Sequence, residues 1–136
     1  MKRVYTVLLV IVCISLMSFK DVKAQDNVNF SVTFGWDDSN CSCSEPLTKE
    51  VRVIITNYPG GGTVHDSEWY TPSSNPETYN GNDNINTDCE SPCYTVSMYV
   101  RYEDNTGICC SCSASANVTG QQLVSGYTLP YTIVMN

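Results

Sequence analysis

The clearest structural signal in the chain is the segment Tyr94–Ala116, which reads YTVSMYVRYEDNTGICCSCSASA. From Tyr94 to Tyr102 every second residue is apolar, and the residues between them are mostly polar. A period of two with one apolar face predicts a half-buried antiparallel strand. The DNTG sequence at 104–107 is typical of a turn. Ile108–Ala116 is therefore predicted to return as the second strand of a hairpin.

The rest of the chain carries further strand signals and almost no helix signal. The alternating or β-branched segments of strand length are Val28–Trp36, Val51–Thr56, Thr63–Thr71 and Tyr127–Met135. Residues 72–92 are rich in Pro, Ser, Asn and Asp and are predicted to form a long irregular loop, which more often serves a function than not. About six to seven strands separated by turns predict an all-β fold, an antiparallel two-sheet β-sandwich. Immunoglobulin-like and transthyretin-like topologies both fit this pattern.

The register of the hairpin determines where its cysteines point. We expect Tyr102 to pair with Ile108, because this register aligns the apolar faces of the two strands. Cys110 and Cys112 would then point into the core, and Cys109 would point outward. A slip of one residue would reverse these orientations, because successive side chains of a strand lie on opposite faces.

Distant cysteine pairs with matching spacing predict a disulfide-stapled fold. Two cysteines at positions i and i+2 of one strand lie roughly 6.6 Å apart with parallel side chains, which is poor geometry for a bond between them. Each can instead bond to a second segment that offers the same spacing. We therefore expect two bridges, in an order left open, from Cys41 and Cys43 to Cys110 and Cys112.

The remaining cysteines complete the predicted pattern. Cys89 and Cys93 flank three residues and are expected to bond to each other. Residues 25–136 contain seven cysteines, so Cys109 is expected to stay free or to pair outside the chain. A vicinal bond from Cys109 to Cys110 would need a strained ring. A zinc–thiolate site is disfavoured, because an exported chain meets oxidising conditions, and thiol catalysis would need a C-x-x-C motif at a helix start.

The amino-terminal sequence predicts the compartment. Residues 1–24, MKRVYTVLLVIVCISLMSFKDVKA, have the basic start, apolar run and small-x-small end of a secretory signal peptide. The apolar run is shorter than the roughly 20 residues of a membrane span. Cleavage would leave residues 25–136 as one secreted or cell-surface β-sandwich domain with 3 basic and 13 acidic residues, a net charge of −10. That charge repels phosphate backbones, so nucleic acid is not an expected partner.

Two loops dense in oxygen atoms and one aromatic pair are the candidates for ligand binding. The candidate calcium ligands are Asp37, Asp38, Asn82, Asp83 and Asp88. They would form a site if loops 37–40 and 80–88 met at one end of the sandwich, although Asn and Asp are also ordinary turn residues. Trp69 and Tyr70 are candidates for stacking against carbohydrate, with packing in the core as the alternative.

The sequence offers no catalytic constellation. His65 is the single histidine, and on an alternating strand it does not share a face with Asp66. We therefore expect a non-enzymatic protein, with a structural or interaction role at the cell surface or in an extracellular fibre and no required cofactor. Its expected partner is protein, including copies of itself, through Cys109 and the edge-like segment Val28–Trp36. The alternative is a calcium- or carbohydrate-binding module that acts through the 72–92 loop.

Overall fold

The computed structural model describes residues 27–136, so the predicted signal peptide at 1–24 lies outside the described residues. The described chain is mostly strand, with one short helix. Its strands are β1 (Asn27–Phe34), β2 (Trp36–Asp37), β3 (Thr48–Asn57), β4 (Thr63–Asp66), β5 (Glu77–Asn84), β6 (Tyr94–Asp104), β7 (Gly107–Val118), β8 (Tyr127–Thr128) and β9 (Ile133–Val134), and its helix is α1 (Gly120–Val124). No helix in this range is long and apolar enough to cross a membrane.

The strands form two larger sheets and one two-stranded pair. One sheet has the order β4-β3-β6-β7, the other has the order β5-β1-β8, and β2 pairs with β9. The four-stranded sheet is antiparallel throughout, whereas β8 runs parallel to β1 and β9 runs parallel to β2. The expectation of a purely antiparallel architecture is therefore wrong. The cause is α1, which packs against β1 and turns the chain so that β8 follows the direction of β1.

Alternating side chains from both larger sheets meet in one core. The buried apolar residues of β1, β3 and β6 are Phe30, Val32, Phe34, Val51, Val53, Ile55, Tyr94, Val96, Met98, Val100 and Tyr102. The period of two in the sequence correctly identified these faces in β1 and β6. Full burial of one such aliphatic side chain contributes about 1.5–3 kcal/mol, so this shared core is the main source of stability.

The hairpin of β6 and β7 forms with a β-bulge near its turn. Tyr102 pairs with Cys110, two residues from the predicted register, and Glu103 pairs with Ile108. Cys109 is thus an extra residue that faces no partner across the ladder. The even-numbered shift keeps Cys110 on the apolar face as expected, and the bulge redirects the side chain of Cys109.

Part of the predicted 72–92 loop is a strand instead. Residues 77–84, with the sequence ETYNGNDN, pair along their whole length with β1. Their intrinsic strand propensity is low, so pairing with β1 determines the structure. Gly81 allows this pairing, because a Cβ there would lie 2.3 Å from the Phe30 ring. Since β1 lies between β5 and β8, the expectation that Val28–Trp36 forms a free edge is wrong.

The predicted final strand, Tyr127–Met135, is divided in two. β8 and β9 each contain two residues, and Pro130 lies between them. Leu129, Ile133 and Met135 are buried, whereas Tyr131 is 55% exposed. Pro130 cannot donate to a ladder, which explains why one continuous strand does not form.

Candidate functional site

Three disulfide bonds fix the loops of the described chain, and one of them corrects the expected pattern. Cys41 bonds to Cys110 and Cys89 bonds to Cys93, within the expected groups. The third bond joins Cys43 to Cys109 rather than to Cys112. Cys109 is therefore not the odd cysteine. The bulge is the reason, because it lets two consecutive cysteines face the C-S-C segment 41–43.

The odd cysteine is Cys112, and its surroundings make it a poor nucleophile. It is half-buried and forms no disulfide within residues 27–136. Burial raises the pKa of the Cys112 thiol to about 11. Because the thiolate is the reactive form, the expected covalent link between chains has no support at either cysteine.

The candidate calcium ligands do not meet. Asn27 of β1 pairs with Asn84, while Phe34 at its other end pairs with Glu77. The candidate ligands of loop 37–40 and those from Asn82 onward in loop 80–88 therefore lie at opposite ends of an eight-residue strand, roughly 25 Å apart. Among residues 27–136, no three His, Cys, Asp or Glu side chains are grouped as a metal site requires.

The candidate ligands instead make local contacts. Asp37 accepts a hydrogen bond from the Ser39 amide, and Asn82 donates to Asn29. Asp88 donates its amide N–H to Asn86. Asn and Asp make such hydrogen bonds in turns and between paired strands, where they fix the conformation of the backbone.

Asp38 is half-exposed and accepts a hydrogen bond from a network of two buried aromatic residues. The Tyr102 hydroxyl donates to Asp38 at 2.6 Å and accepts from the Trp36 indole N–H at 2.8 Å. Burial, followed by the bond to Asp38, raises the pKa of Tyr102 to about 12. Tyr102 is therefore a neutral donor at any physiological pH, and the network stabilises the packing of loop 37–40.

His65 lies between the two larger sheets in an arrangement that the sequence did not indicate. Its Nδ1 is 3.1 Å from Asp83 Oδ2, and its Nε2 is 2.6 Å from the Tyr79 hydroxyl. Burial raises the pKa of Tyr79, so the phenol is the natural donor to Nε2. Both ring nitrogens are thus occupied by partners from β5, and the arrangement holds β4 against β5. The contact could not be inferred because His65 and Asp83 belong to strands of different sheets.

Trp69 and Tyr70 do not form a joint stacking surface. Tyr70 pairs with buried Val51 and lies beside Tyr79 with ring centroids 5.5 Å apart, on the inner face. Its hydroxyl is buried without a hydrogen-bond partner in the described chain. Trp69 lies on the outer face of the four-stranded sheet, beside Tyr99. Consecutive residues of an extended segment point to opposite sides, which separates the two rings.

The outer face of β6 and β7 carries a trough beside Trp69. We use the name β6–β7 trough for this depression of about 410 Å³, whose lining includes Trp69, Tyr99, Arg101, Ile108, Ser111 and Ser113. The Arg101 guanidinium lies 4.1 Å from the centre of the Trp69 ring. Arg101 also binds Glu50 with N···O distances of 2.8 and 2.6 Å. Tyr99 and Arg101 of the lining belong to β6, and Ile108, Ser111 and Ser113 belong to β7.

β7 is an edge strand with an open side. It is the last strand of its sheet, and none of the other described strands pairs with its outer side. The Ser111 amide points away from β6, toward the Asn136 carbonyl 3.5 Å away. Because alternate residues of an antiparallel strand point their N–H and C=O groups to the same side, those of Ser113, Ser115 and Asn117 also point away from β6. All three residues are exposed.

The open side of β7 has no charge. All charged residues in the described chain lie at or before Asp104, and residues 105–136 contain no Asp, Glu, Lys or Arg. Residues 27–104 hold 12 acidic and 3 basic residues, so they carry a strong negative charge.

Comparison with known proteins gives no match, whether to a family model, to a curated protein or to a solved structure.

Proposed function

We propose that the protein is a secreted, non-enzymatic β-sandwich, of immunoglobulin-like or transthyretin-like packing, that serves a structural or interaction role outside the cell. Its partner is a second copy of the same chain, which pairs with the open side of β7. The predicted signal peptide and the three disulfide bonds support an oxidising, extracellular location. The edge of β7 is the observation that carries the proposed role.

The length and composition of β7 support pairing with another strand. The strand has 12 residues, and from Gly107 to Val118 it contains no Lys, Asp, Glu or Pro. Charged residues and prolines are the usual means by which proteins keep long edges from pairing. Within the described chain, β7 is partly covered where segment 41–43 is bonded to Cys109 and Cys110, where β9 packs against it, and where Ser111 contacts Asn136. Main-chain N–H and C=O groups of Ser113, Ser115 and Asn117 therefore remain available for strand addition.

The distribution of charge favours a second copy at this edge. Two strongly acidic molecules repel each other over most of their surfaces, and the repulsion is smallest where both partners are neutral. An antiparallel β7–β7 pair brings the two uncharged segments together and the two acidic halves apart. The edge strands β4 and β5 carry Asp66 and Asp83, so pairing there would add repulsion, and the edge strand β8 has only two residues. The favoured assembly is thus a two-fold dimer.

The side chains of β7 are small enough for two copies of the strand to pair side by side. Ser113, Ser115 and Asn117 alternate with Ala114 and Ala116, all of which are small. Antiparallel pairing centred on Ala114 would place Ser113 opposite Ser115 of the second copy. In this register no large side chain opposes another, so the two strands can approach to hydrogen-bonding distance.

Sedimentation velocity of the secreted protein over a wide concentration range tests the proposal. We expect a reversible dimer that runs as a monomer on a non-reducing denaturing gel, because Cys109 is already bonded to Cys43 and the half-buried Cys112 is a poor nucleophile in the folded protein. Ser113→Pro removes an amide that points away from β6, so it should abolish the dimer and leave the fold intact. Ser113→Thr, which keeps the amide, is the matched control and should still dimerise. A wild-type monomer at every concentration, or a dimer that survives Ser113→Pro, would overturn the proposal.

A further inference from the structure

The polar ladder across β6 and β7 is complete at one end and open at the other. Thr95 bonds to Asn117 and Ser97 bonds to Ser115, each at 2.8 Å. The next rung pairs Tyr99 with Ser113. It carries no hydrogen bond between side chains, and neither hydroxyl has another partner within the described residues.

The next rung of the ladder, Arg101 with Ser111, also has no hydrogen bond between its two side chains. Arg101 faces Ser111 in the ladder but directs its guanidinium to Glu50. The Ser111 hydroxyl and the Trp69 indole N–H therefore have no hydrogen-bond partner in the described chain. The trough thus presents three hydroxyl groups and one indole N–H that are free to bind a ligand.

The trough is also electrically balanced. Arg101 binds Glu50 and lies 3.5 Å from Glu103, so its charge is compensated within the sheet. The guanidinium covers one face of the Trp69 ring and fixes the indole in place. Tyr99 meets Trp69 edge to face, with 66° between the ring planes. An anionic ligand would gain little from Arg101 and would approach a strongly acidic protein.

We propose that the β6–β7 trough binds a neutral oligosaccharide. A sugar ring has an apolar face, which packs against an aromatic ring, and hydroxyl groups at its rim, which need both donors and acceptors. Tyr99 and Trp69 provide the rings, and Ser111 and Ser113 provide donors and acceptors in one row. Pockets that combine aromatic walls with a few fixed polar groups are typical small-ligand sites.

This site shares Ser113 with the proposed dimer contact, but it uses the side chain on the outer face, whereas the dimer uses the main chain at the edge. Strand addition at β7 extends the sheet within its own plane and leaves the outer face of β6 uncovered. A two-fold dimer would therefore carry two troughs on its outer surface. Binding of oligosaccharide and pairing of chains can each fail without the other.

Calorimetric titration of the secreted protein with linear neutral hexasaccharides of glucose, xylose and mannose tests the proposal, with oligogalacturonate as an anionic probe. We expect at least one neutral probe to bind and the anionic probe not to bind. Tyr99→Ala should weaken binding at least tenfold. Ser113→Ala should weaken it about threefold, as expected for one hydrogen bond. Ser97→Ala, on the complete part of the ladder, is the matched control and should bind as the wild type does.

Three results would overturn the proposal. The first is absence of binding by every neutral probe, and the second is preference for oligogalacturonate. The third is binding that Tyr99→Ala leaves unchanged or that Ser97→Ala reduces equally. Tyr99→Phe separates loss of the ring from loss of the fold, because it keeps the ring and should retain most of the affinity. Near-ultraviolet circular dichroism of each variant verifies the packing of the core.

Discussion

The two neighbouring disulfides that join segment 41–43 to β7 should stabilise the protein in a non-additive way. Cys41–Cys110 closes a chain segment with a separation of 69 residues. Loop-closure entropy for that length corresponds to about 4 kcal/mol. Once this bond exists, Cys43–Cys109 closes a ring of only about five residues, which corresponds to about 2 kcal/mol. The same reasoning holds in the reverse order, because either bond alone closes the long segment.

Removal of one bond should therefore cost far less than removal of both. The variants replace one pair with alanine (Cys41 and Cys110), the other pair (Cys43 and Cys109), or all four. Each single removal should lower the free energy of unfolding by about 2 kcal/mol, and the double removal should lower it by about 6 kcal/mol. Cys112→Ala in every variant prevents exchange of partners.

Denaturation in guanidinium chloride, followed by the fluorescence of Trp36 and Trp69, measures these free energies. The double-mutant cycle then gives a coupling of about 2 kcal/mol, which two independent bonds would not show. Additive losses would refute the proposed pairing of adjacent cysteines. A silent Cys109→Ala variant would refute it as well, because it would return Cys109 to the role of free thiol.

Three further results are expected from single sites. Tyr102→Phe leaves the buried Trp36 N–H without its acceptor and should lower the free energy of unfolding, measured by chemical denaturation, by about 1–3 kcal/mol. An unchanged free energy of unfolding would contradict this hydrogen bond. Cys112 should react with iodoacetamide at pH 8 about tenfold more slowly than an ordinary cysteine. Its raised pKa makes the thiolate scarce, and the higher nucleophilicity of that thiolate offsets only part of the loss in rate. An ordinary rate would contradict the burial of Cys112. The hydrogen bond from Arg52 lowers the pKa of Asp66 to about 2, so this contribution to stability is present above pH 4 and lost as pH falls toward 2. Arg52→Gln should bring the Asp66 titration, followed by NMR, back toward 3.8, and an unchanged titration would contradict the ion pair.

The sequence predicted the features that depend on local pattern. The alternation in Tyr94–Tyr102 correctly placed the buried face of β6, and the turn at 104–107 closed the hairpin as expected. The parity of β7 followed from the same pattern. The buried face of a strand and the position of a turn depend on residues that are neighbours in the sequence, so the pattern of one segment is enough to predict them.

Features that depend on pairing between distant segments could not be predicted. β5 is rich in Asn and Gly, and it is a strand only because β1 offers eight consecutive partners. The bulge at Cys109 changes which cysteine meets Cys43, and no local signal marks it. For the same reason, the contact between His65 and Asp83 required the three-dimensional arrangement. The separation of Trp69 from Tyr70, by contrast, follows from the alternation of side chains in an extended segment.

Amide hydrogen exchange at the open side of β7, measured as a function of protein concentration, tests the central claim most directly. In dilute solution the amides of Ser113, Ser115 and Asn117 should exchange quickly, because they point away from β6. At high concentration they should become protected together, while the amides on the outer side of β5 should not change. Slow exchange in dilute solution, or no dependence on concentration at these three residues, would contradict pairing through β7.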